Sequence, residues 1–314
     1  MRSEYSAHVH CVIGPGRLGA CLVAALGQRD ERLAAVGVRA GRGPAGGEPP
    51  RLPAGDAVRA AARAAAQADA LTVLWLTVPD DAIAGVAAET AAAWARAAGD
   101  VAVVHCSGLG GLDLLTPWRR AGAAVLSLHP LQTFATPDVG VLAGVPMAVT
   151  AADPLTVRLG EQLAASIGCV PFVLPEDEKP LYHLAAAVAS NLLVALEAEA
   201  GELLREAADL PSTEAAVRLL GPLVSASLTN VVRLGPRRAL TGPVARGDVG
   251  TVRAHLEALE RQPARVRQVY RALSLQALSL AAPALDDDTV EALQELLGTY
   301  PDQSGALERP GGEL

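Results

Sequence analysis

Gly14-Pro15-Gly16-Arg17-Leu18-Gly19 stands directly behind the apolar run Val9 to Ile13 and directly ahead of Ala20-Cys21-Leu22-Val23-Ala24-Ala25-Leu26. A Gly-x-Gly-x-x-Gly pattern between a strand and a helix of small residues reads as a dinucleotide loop. The first glycine permits the tight turn and the second lets backbone approach a pyrophosphate. The third lets the helix close on the strand, and the helix N-terminus offers free N–H groups to phosphate. Gly14, Gly16, Arg17, Leu18 and Gly19 are therefore the first candidate cofactor residues.

The second strand, Ala34 to Val38, ends at Arg39. In an NAD site an Asp or Glu about 20 residues beyond the glycines holds the ribose 2′-hydroxyl there. With no acid in that place, Arg39 and Arg42, helped by Arg17, are expected to grip a 2′-phosphate through planar, charge-assisted hydrogen bonds. NADP(H) is the expected cofactor.

At 314 residues the chain exceeds one typical core, so two domains are expected. A net charge of −8 argues against nucleic acid or an anionic membrane as the main partner and leaves the arginines as a local patch suited to phosphate. Cys11, Cys21, Cys106 and Cys169 lie far apart in apolar segments, without metal-ligand spacing, so neither a disulfide frame nor a structural metal site is expected. The N-terminal residues lead straight into the first strand, so no cleavable signal is expected, and the apolar runs are alanine-rich and broken by charges. No membrane span is expected, and a reducing cytoplasm is the expected location.

Strands alternate with helices through the first half. The strand candidates are Leu71 to Thr77, Val101 to His105, Ala124 to Leu128, Pro146 to Thr150 and Cys169 to Val173. A Gly/Pro-rich stretch, Gly41 to Gly55, reads as a loop, and helices are expected near Asp56 to Gln67, Asp80 to Ala98, Leu112 to Ala121 and Pro154 to Ile167. This order predicts an α/β Rossmann domain, a doubly wound and mostly parallel sheet, over residues 1–174. Helical spacing then takes over in Glu178 to Ala208, Ser212 to Leu234, Val249 to Ala281 and Asp287 to Leu297, predicting an all-α domain over 175–299. The polar stretch 300–314 reads as a disordered tail.

In such a sheet, ligands gather at the carboxyl ends of the strands. Val78 and Pro79 would wall a cofactor, Ser107 would meet its amide or a substrate oxygen, and His129 interrupts a strand end as a candidate substrate residue. Asp80 and Asp81 read as helix caps, as does Asp248. Of 26 basic residues only Lys179 is a lysine, and only an ammonium can lose its proton near neutral pH. Lys179, His183, Ala187 and Asn191 recur every fourth residue, which keeps them on one slowly drifting face of a continuous helix. Thr241, in Leu240-Thr241-Gly242-Pro243-Val244-Ala245-Arg246-Gly247-Asp248, is a further substrate-binding candidate.

Together with the glycine loop, His105-Cys106-Ser107-Gly108, His129-Pro130-Leu131-Gln132-Thr133-Phe134, Lys179-x-x-Tyr182-His183 with Ala189-Ser190-Asn191, and Leu240 to Asp248 resemble the bacterial Rossmann-like proteins with a DUF2520 C-terminal domain. The resemblance spans about residues 8 to 297. It implies an architecture similar to pyrroline-5-carboxylate reductase, ketopantoate reductase and the β-hydroxyacid dehydrogenases: an NADP domain followed by an all-helical, 6-phosphogluconate-dehydrogenase-like domain that often dimerises. It also implies a reductase, some members being linked to ketopantoate reduction. Relatives with a catalytic Lys-x-x-x-Asn hold the two groups one turn apart, whereas here His183 follows Lys179 by four and the asparagine is Asn191. Either His183 takes the asparagine's place, or Asn191 positions substrate and Lys179 lies outside the site.

The leading expectation is an NADPH-dependent reductase of a small 2-oxo acid or related carbonyl, ketopantoate first. Lys179 or His183 would supply the proton to the alkoxide, while Asn191, Ser107 and Thr241 orient the substrate. A cyclic imine reductase is the second expectation, and a dimeric NADP-binding sensor or scaffold without turnover the third.

Overall fold

The computed structural model describes residues 7–39, 49–94, 100–136 and 141–298. Arg42 and the 300–314 tail lie outside them. The chain forms two compact units, Met1–Leu192 and Leu193–Leu314, so the division falls beyond the expected boundary near residue 175.

The first unit runs β1 (His8–Ile13), α1 (Arg17–Gln28), β2 (Arg32–Val38), β3 (Arg51–Pro53), α2 (Ala54–Ala68), β4 (Leu71–Leu76), α3 (Asp80–Trp94) and β5 (Val101–His105). A 3-10 turn (Leu112–Leu115), α4 (Thr116–Arg120), β6 (Ala124–Pro130), β7 (Pro146–Ala151), α5 (Pro154–Ser166), β8 (Val170–Val173) and α6 (Lys179–Ala187) follow. A π-helical turn, Val188–Leu192, ends the unit. Among the described residues the strands form one sheet in the order β3-β2-β1-β4-β5-β6-β7-β8, parallel except for the β6–β7 pair.

The central strands are apolar on both faces, as a parallel sheet covered on both sides requires. Val12, Trp75 and Val104 face one core with Leu22, Leu26 and Leu163 of α1 and α5. Ile13, Leu76 and Val103 face the other with Ala57, Val58 and Ile83 of α2 and α3. The register sets Ile13 opposite Leu76, Leu76 opposite His105 and His105 opposite Ser127, so the loops after β1, β4 and β5 open side by side. β2 leaves β1 on one flank and β4 on the other, the switch point at which such sheets bind ligands. The Gly41 to Gly55 loop expectation fails at its end: Arg51–Pro53 form an edge strand and α2 starts at Ala54. Pro53 is tolerated because edge strands have spare N–H positions.

The second unit is helical: α7 (Leu193–Ala207), α8 (Thr213–Leu234), α9 (Pro236–Ala239), α10 (Val249–Ala258), α11 (Ala264–Ala281) and α12 (Asp287–Leu297). Its core holds Val252, Leu256, Leu275, Leu278 and Leu293. Asp248 caps α10 through the Thr251 N–H at 2.9 Å, as expected. The helix expected over Val249 to Ala281 is two, because Pro263 lacks the N–H that continuation needs. Glu176–Ala207 and Thr213–Leu234 are helical stretches long and apolar enough to cross a membrane by length and composition, which the reading of the sequence did not anticipate. In Glu176–Ala207 alanine supplies much of the apolar character, which hides that stretch in the sequence.

Candidate cofactor and active site

Each glycine of the loop has its own physical reason. Gly14 sits at φ +93°, and a Cβ there would lie 2.6 Å from Val78 Cγ1. At Gly19 a Cβ would lie 2.3 Å from the Gly14 carbonyl oxygen and 2.6 Å from Thr77 Oγ1. Nothing stands within 4 Å of a Cβ at Gly16, which is the N-cap of α1 and offers no side chain to its N–H groups. Thr77 Oγ1 donates to the carbonyls of Gly14 at 2.7 Å and Ile13 at 3.2 Å, tying β4 to the loop. An uncapped helix N-terminus over open space is an anion cradle.

Two cavities of the first unit adjoin this loop. One, of about 660 Å³, is lined by Gly14, Gly16, Arg39, Arg51, Val78 and Pro79 among others. Arg39 is where the sequence places it. Arg51 is missed there because it lies on the short edge strand, brought opposite Val36 by pairing with β2. Both guanidinium side chains are solvent-exposed, free to close on a phosphate. Glycine cradle, free N–H groups and paired arginines fit a dinucleotide carrying a 2′-phosphate.

The other cavity, of about 920 Å³, shares Gly16, Val78 and Pro79 and is also lined by Arg17, Leu18, Asp80, Cys106, His129, Tyr182, His183, Ser190 and Asn191. His183 and Asn191 meet there for a reason absent from the four-residue spacing. Eight residues of regular α-helix turn a side chain by about 80°. The π turn at Val188–Leu192 takes up one extra residue, so Asn191 stands where the seventh residue of an α-helix would, within about 20° of His183.

Lys179 does not line this cavity. Only 1% exposed, it donates from Nζ to Ser127 Oγ at 2.8 Å and to the Ser107 carbonyl at 3.1 Å, fastening the start of α6 to the turn after β5 and the middle of β6. Burial lowers its amine to about 8, against the raising effect of Glu176 and Asp80. Ser107 is buried too. Its hydroxyl donates to Asp80 Oδ2 at 2.6 Å and accepts from the N–H of Gly110 at 2.8 Å, so it is engaged in the turn, and Asp80, the first residue of α3, holds Ser107. Thr241 is exposed on the second unit.

His129 and Tyr182 form the pair that sequence reasoning did not assemble. His129 Nδ1 and Tyr182 Oη are 2.7 Å apart, with the rings edge to face at 5.5 Å. Burial lowers the His129 imidazole to about 4, helped by Lys179 and His183, and raises the Tyr182 phenol to about 12. Gly108 makes room for the rings: a Cβ there would lie 2.7 Å from His183 Cδ2 and 2.9 Å from His129 Nε2.

His8, His10 and Glu31 bring ligand-type atoms within 4.8 Å of one another at the opposite end of β1. Trp75 Nε1 donates to His10 Nδ1 at 3.0 Å, and burial lowers the imidazole to about 3. The neutral ring therefore carries its proton on Nε2, facing Glu31 Oε2 at 3.3 Å. A protonated nitrogen is no ligand, and the cluster is a hydrogen-bond chain.

The family described as a Rossmann-like domain matches residues 6–130, and the family described as a domain of unknown function, DUF2520, matches residues 145–277. Among solved structures the chain is similar to a protein from Bacteroides fragilis described as a candidate NADP oxidoreductase. Identity is 21% and TM-score 0.62, over 87% of this chain and 98% of that one. A protein from Thermotoga maritima gives 22% identity and TM-score 0.62, over 88% and 99%. The pyrroline carboxylate reductase of Plasmodium falciparum, solved with NADP bound, gives 9% identity and TM-score 0.54, over 92% and 99%. At these identities the likeness is one of fold. Comparison with curated proteins finds no match. The chain is a protein in which a Rossmann-like domain is followed by a DUF2520 domain.

Proposed function

We propose that the chain is an NADP(H)-dependent oxidoreductase reducing a small carbonyl compound, with 2-oxo acids, ketopantoate first, as the substrates to try. A single observation carries this reading: Gly16, Val78 and Pro79 line both the two-arginine cavity and the cavity of His129, Tyr182, His183 and Asn191. Arg39, Arg51 and the N-terminus of α1 would hold the phosphates. NADPH supplies a hydride when bound, and the chain supplies orientation and protons. A carbonyl is favoured over an imine because Tyr182 and His183 bring transferable protons into the cavity, and a cyclic iminium arrives already protonated. The fold shared with an NADP oxidoreductase and a pyrroline carboxylate reductase supports the class.

NADPH oxidation should be followed against ketopantoate, other 2-oxo acids and pyrroline-5-carboxylate. Turnover with a 2-oxo acid is expected. Turnover with pyrroline-5-carboxylate alone would make the protein an imine reductase, and NADPH binding with no turnover across the panel would make it a sensor. Arg39→Ala and Arg51→Ala are each expected to weaken NADPH about 10-fold, and roughly 100-fold together, a loss of one charge-assisted hydrogen bond apiece discounted for exposure. NADH affinity should not change, which titration by cofactor fluorescence would check.

The protein is also proposed to be a homodimer through its helical unit. Leu219 and Leu223, one turn apart on α8, are 63% and 66% exposed, and Val232 is 89% exposed. Apolar faces of this kind mark association surfaces. Leu219→Glu with Leu223→Glu is expected to convert a dimer into a monomer in light scattering, whereas a wild type that needs detergent would assign the face to a membrane. A reducing cytoplasm is the proposed location, supported by four free cysteines.

A further inference from the structure

Resting on the oxidoreductase reading above, we propose that Tyr182 is the proton donor of the reduction and that His129 is the positioning residue that holds and recharges its hydroxyl. Three other polar side chains compete for that role, and each fails on geometry. Lys179 is buried with its Nζ committed to Ser127 and Ser107. Asn191 can donate hydrogen bonds through its amide N–H groups but is far too weak an acid to transfer a proton. His183 lines the cavity but is exposed, and its ring nitrogens have no hydrogen-bond partner among the described residues; edge-on packing against His129 at 6.5 Å holds the ring without tying either nitrogen to a proton source.

Tyr182 is held on two sides. Phe172 lies edge-on at 6.0 Å and His129 at 5.5 Å, with the hydroxyl 2.7 Å from Nδ1. The charged or titratable groups facing His129 are Lys179, His183 and Asp80, and with burial they leave the imidazole neutral at pH 7. A neutral ring has one N–H. Placed on Nδ1, it donates to Tyr182 Oη and leaves the phenol proton free for the cavity.

In the step, the substrate carbon gains the hydride and the carbonyl pair moves onto oxygen, so the carbonyl is reduced to an alcohol as the cofactor is oxidised. That oxygen bonds the phenol proton as the Tyr182 O–H bond breaks. The phenolate takes the Nδ1 proton of His129, whose Nε2 takes one from water, and exchange with water restores the first tautomer.

Tyr182→Phe is expected to lower kcat about 100-fold, the usual contribution of a positioned general acid, with KM and NADPH affinity held. His129→Asn keeps a polar atom near the Nδ1 position but cannot relay a proton. It should lower kcat less and remove the imidazole limb from the pH–rate profile, which a merely structural role would not do. A readout free of turnover is ¹⁵N NMR of the His129 ring: a protonated Nδ1 is expected, shifting in Tyr182→Phe. An active wild type whose Tyr182→Phe variant keeps its rate, or a bare Nδ1, overturns the relay alone. A wild type inert across the substrate panel overturns the oxidoreductase reading and the relay with it.

Discussion

Gly19→Ala is expected to raise the NADPH Kd at least about 100-fold and to lower the melting temperature by several degrees. The added Cβ would lie 2.3 Å from the Gly14 carbonyl oxygen and 2.6 Å from Thr77 Oγ1. Neither atom is free to yield. The two are hydrogen-bonded to each other at 2.7 Å, Thr77 Oγ1 also donates to Ile13, and Gly14 is pressed against Val78. The start of α1 must therefore retreat from β1, an overpacking cost of about 1–3 kcal/mol, worth about 2–4 °C per kcal/mol in a domain of this size. The same retreat draws the N–H groups of the first turn away from the phosphates. Losing two charge-assisted hydrogen bonds, at about 1.5–3 kcal/mol each, accounts for the 100-fold. Gly16→Ala separates the two effects. Its φ is −71° and nothing stands within 4 Å of the new methyl, so the melting temperature should hold while binding falls, the methyl occupying the phosphate's space. Calorimetric titration and thermal melts of both variants check this, and a Gly19→Ala protein that binds NADPH normally would sink the assignment of the loop.

What the sequence makes legible is whatever a single local signal encodes. β1, β4 and β5 read clearly because both faces are buried and the residues run mostly apolar, interrupted only by single polar residues such as His10, Thr72 and His105. The loop glycines read clearly because sterics leave no other residue type for Gly14 and Gly19. Arg39 is legible by its count from the loop. Arg51 is not, because a three-residue edge strand ending in proline has no periodicity to see and its partnership with Arg39 is set by sheet pairing. The meeting of His183 and Asn191 depends on a π turn, and nothing in Val188-Ala189-Ser190-Asn191-Leu192 announces one. His129 and Tyr182 stand 53 residues apart and become a pair only when α6 packs over the end of β6. The lone lysine misleads for a related reason. Beside Pro180 and three acids it looks like an exposed helix start, and only the fold shows it turned inward onto Ser107 and Ser127.

That inward turn has a thermodynamic signature, and Lys179→Met is expected to erase it. Burial lowers the amine from the ordinary 10.5 to about 8, opposed by Glu176 and Asp80. Below about pH 8 the lysine is charged in both folded and unfolded chains, and the fold bears the full cost of holding a desolvated ammonium. Between about pH 8 and 10.5 the unfolded chain keeps the proton and the folded chain has lost it. Stability rises with pH wherever the unfolded state binds more protons, so the wild type gains across this window, by about 3 kcal/mol at its upper end. A methionine binds no proton and contributes no slope. Other groups, the raised Tyr182 phenol among them, titrate in both proteins and cancel in the difference. Urea unfolding from pH 7 to 10.5, followed by the fluorescence of Trp75, Trp94 and Trp118, reads the first unit alone, since all three tryptophans lie in it. The wild-type minus variant stability should climb from pH 8 upward. A flat difference would mean that the amine reaches water, which would return Lys179 to the cavity as a rival to Tyr182 for the proton.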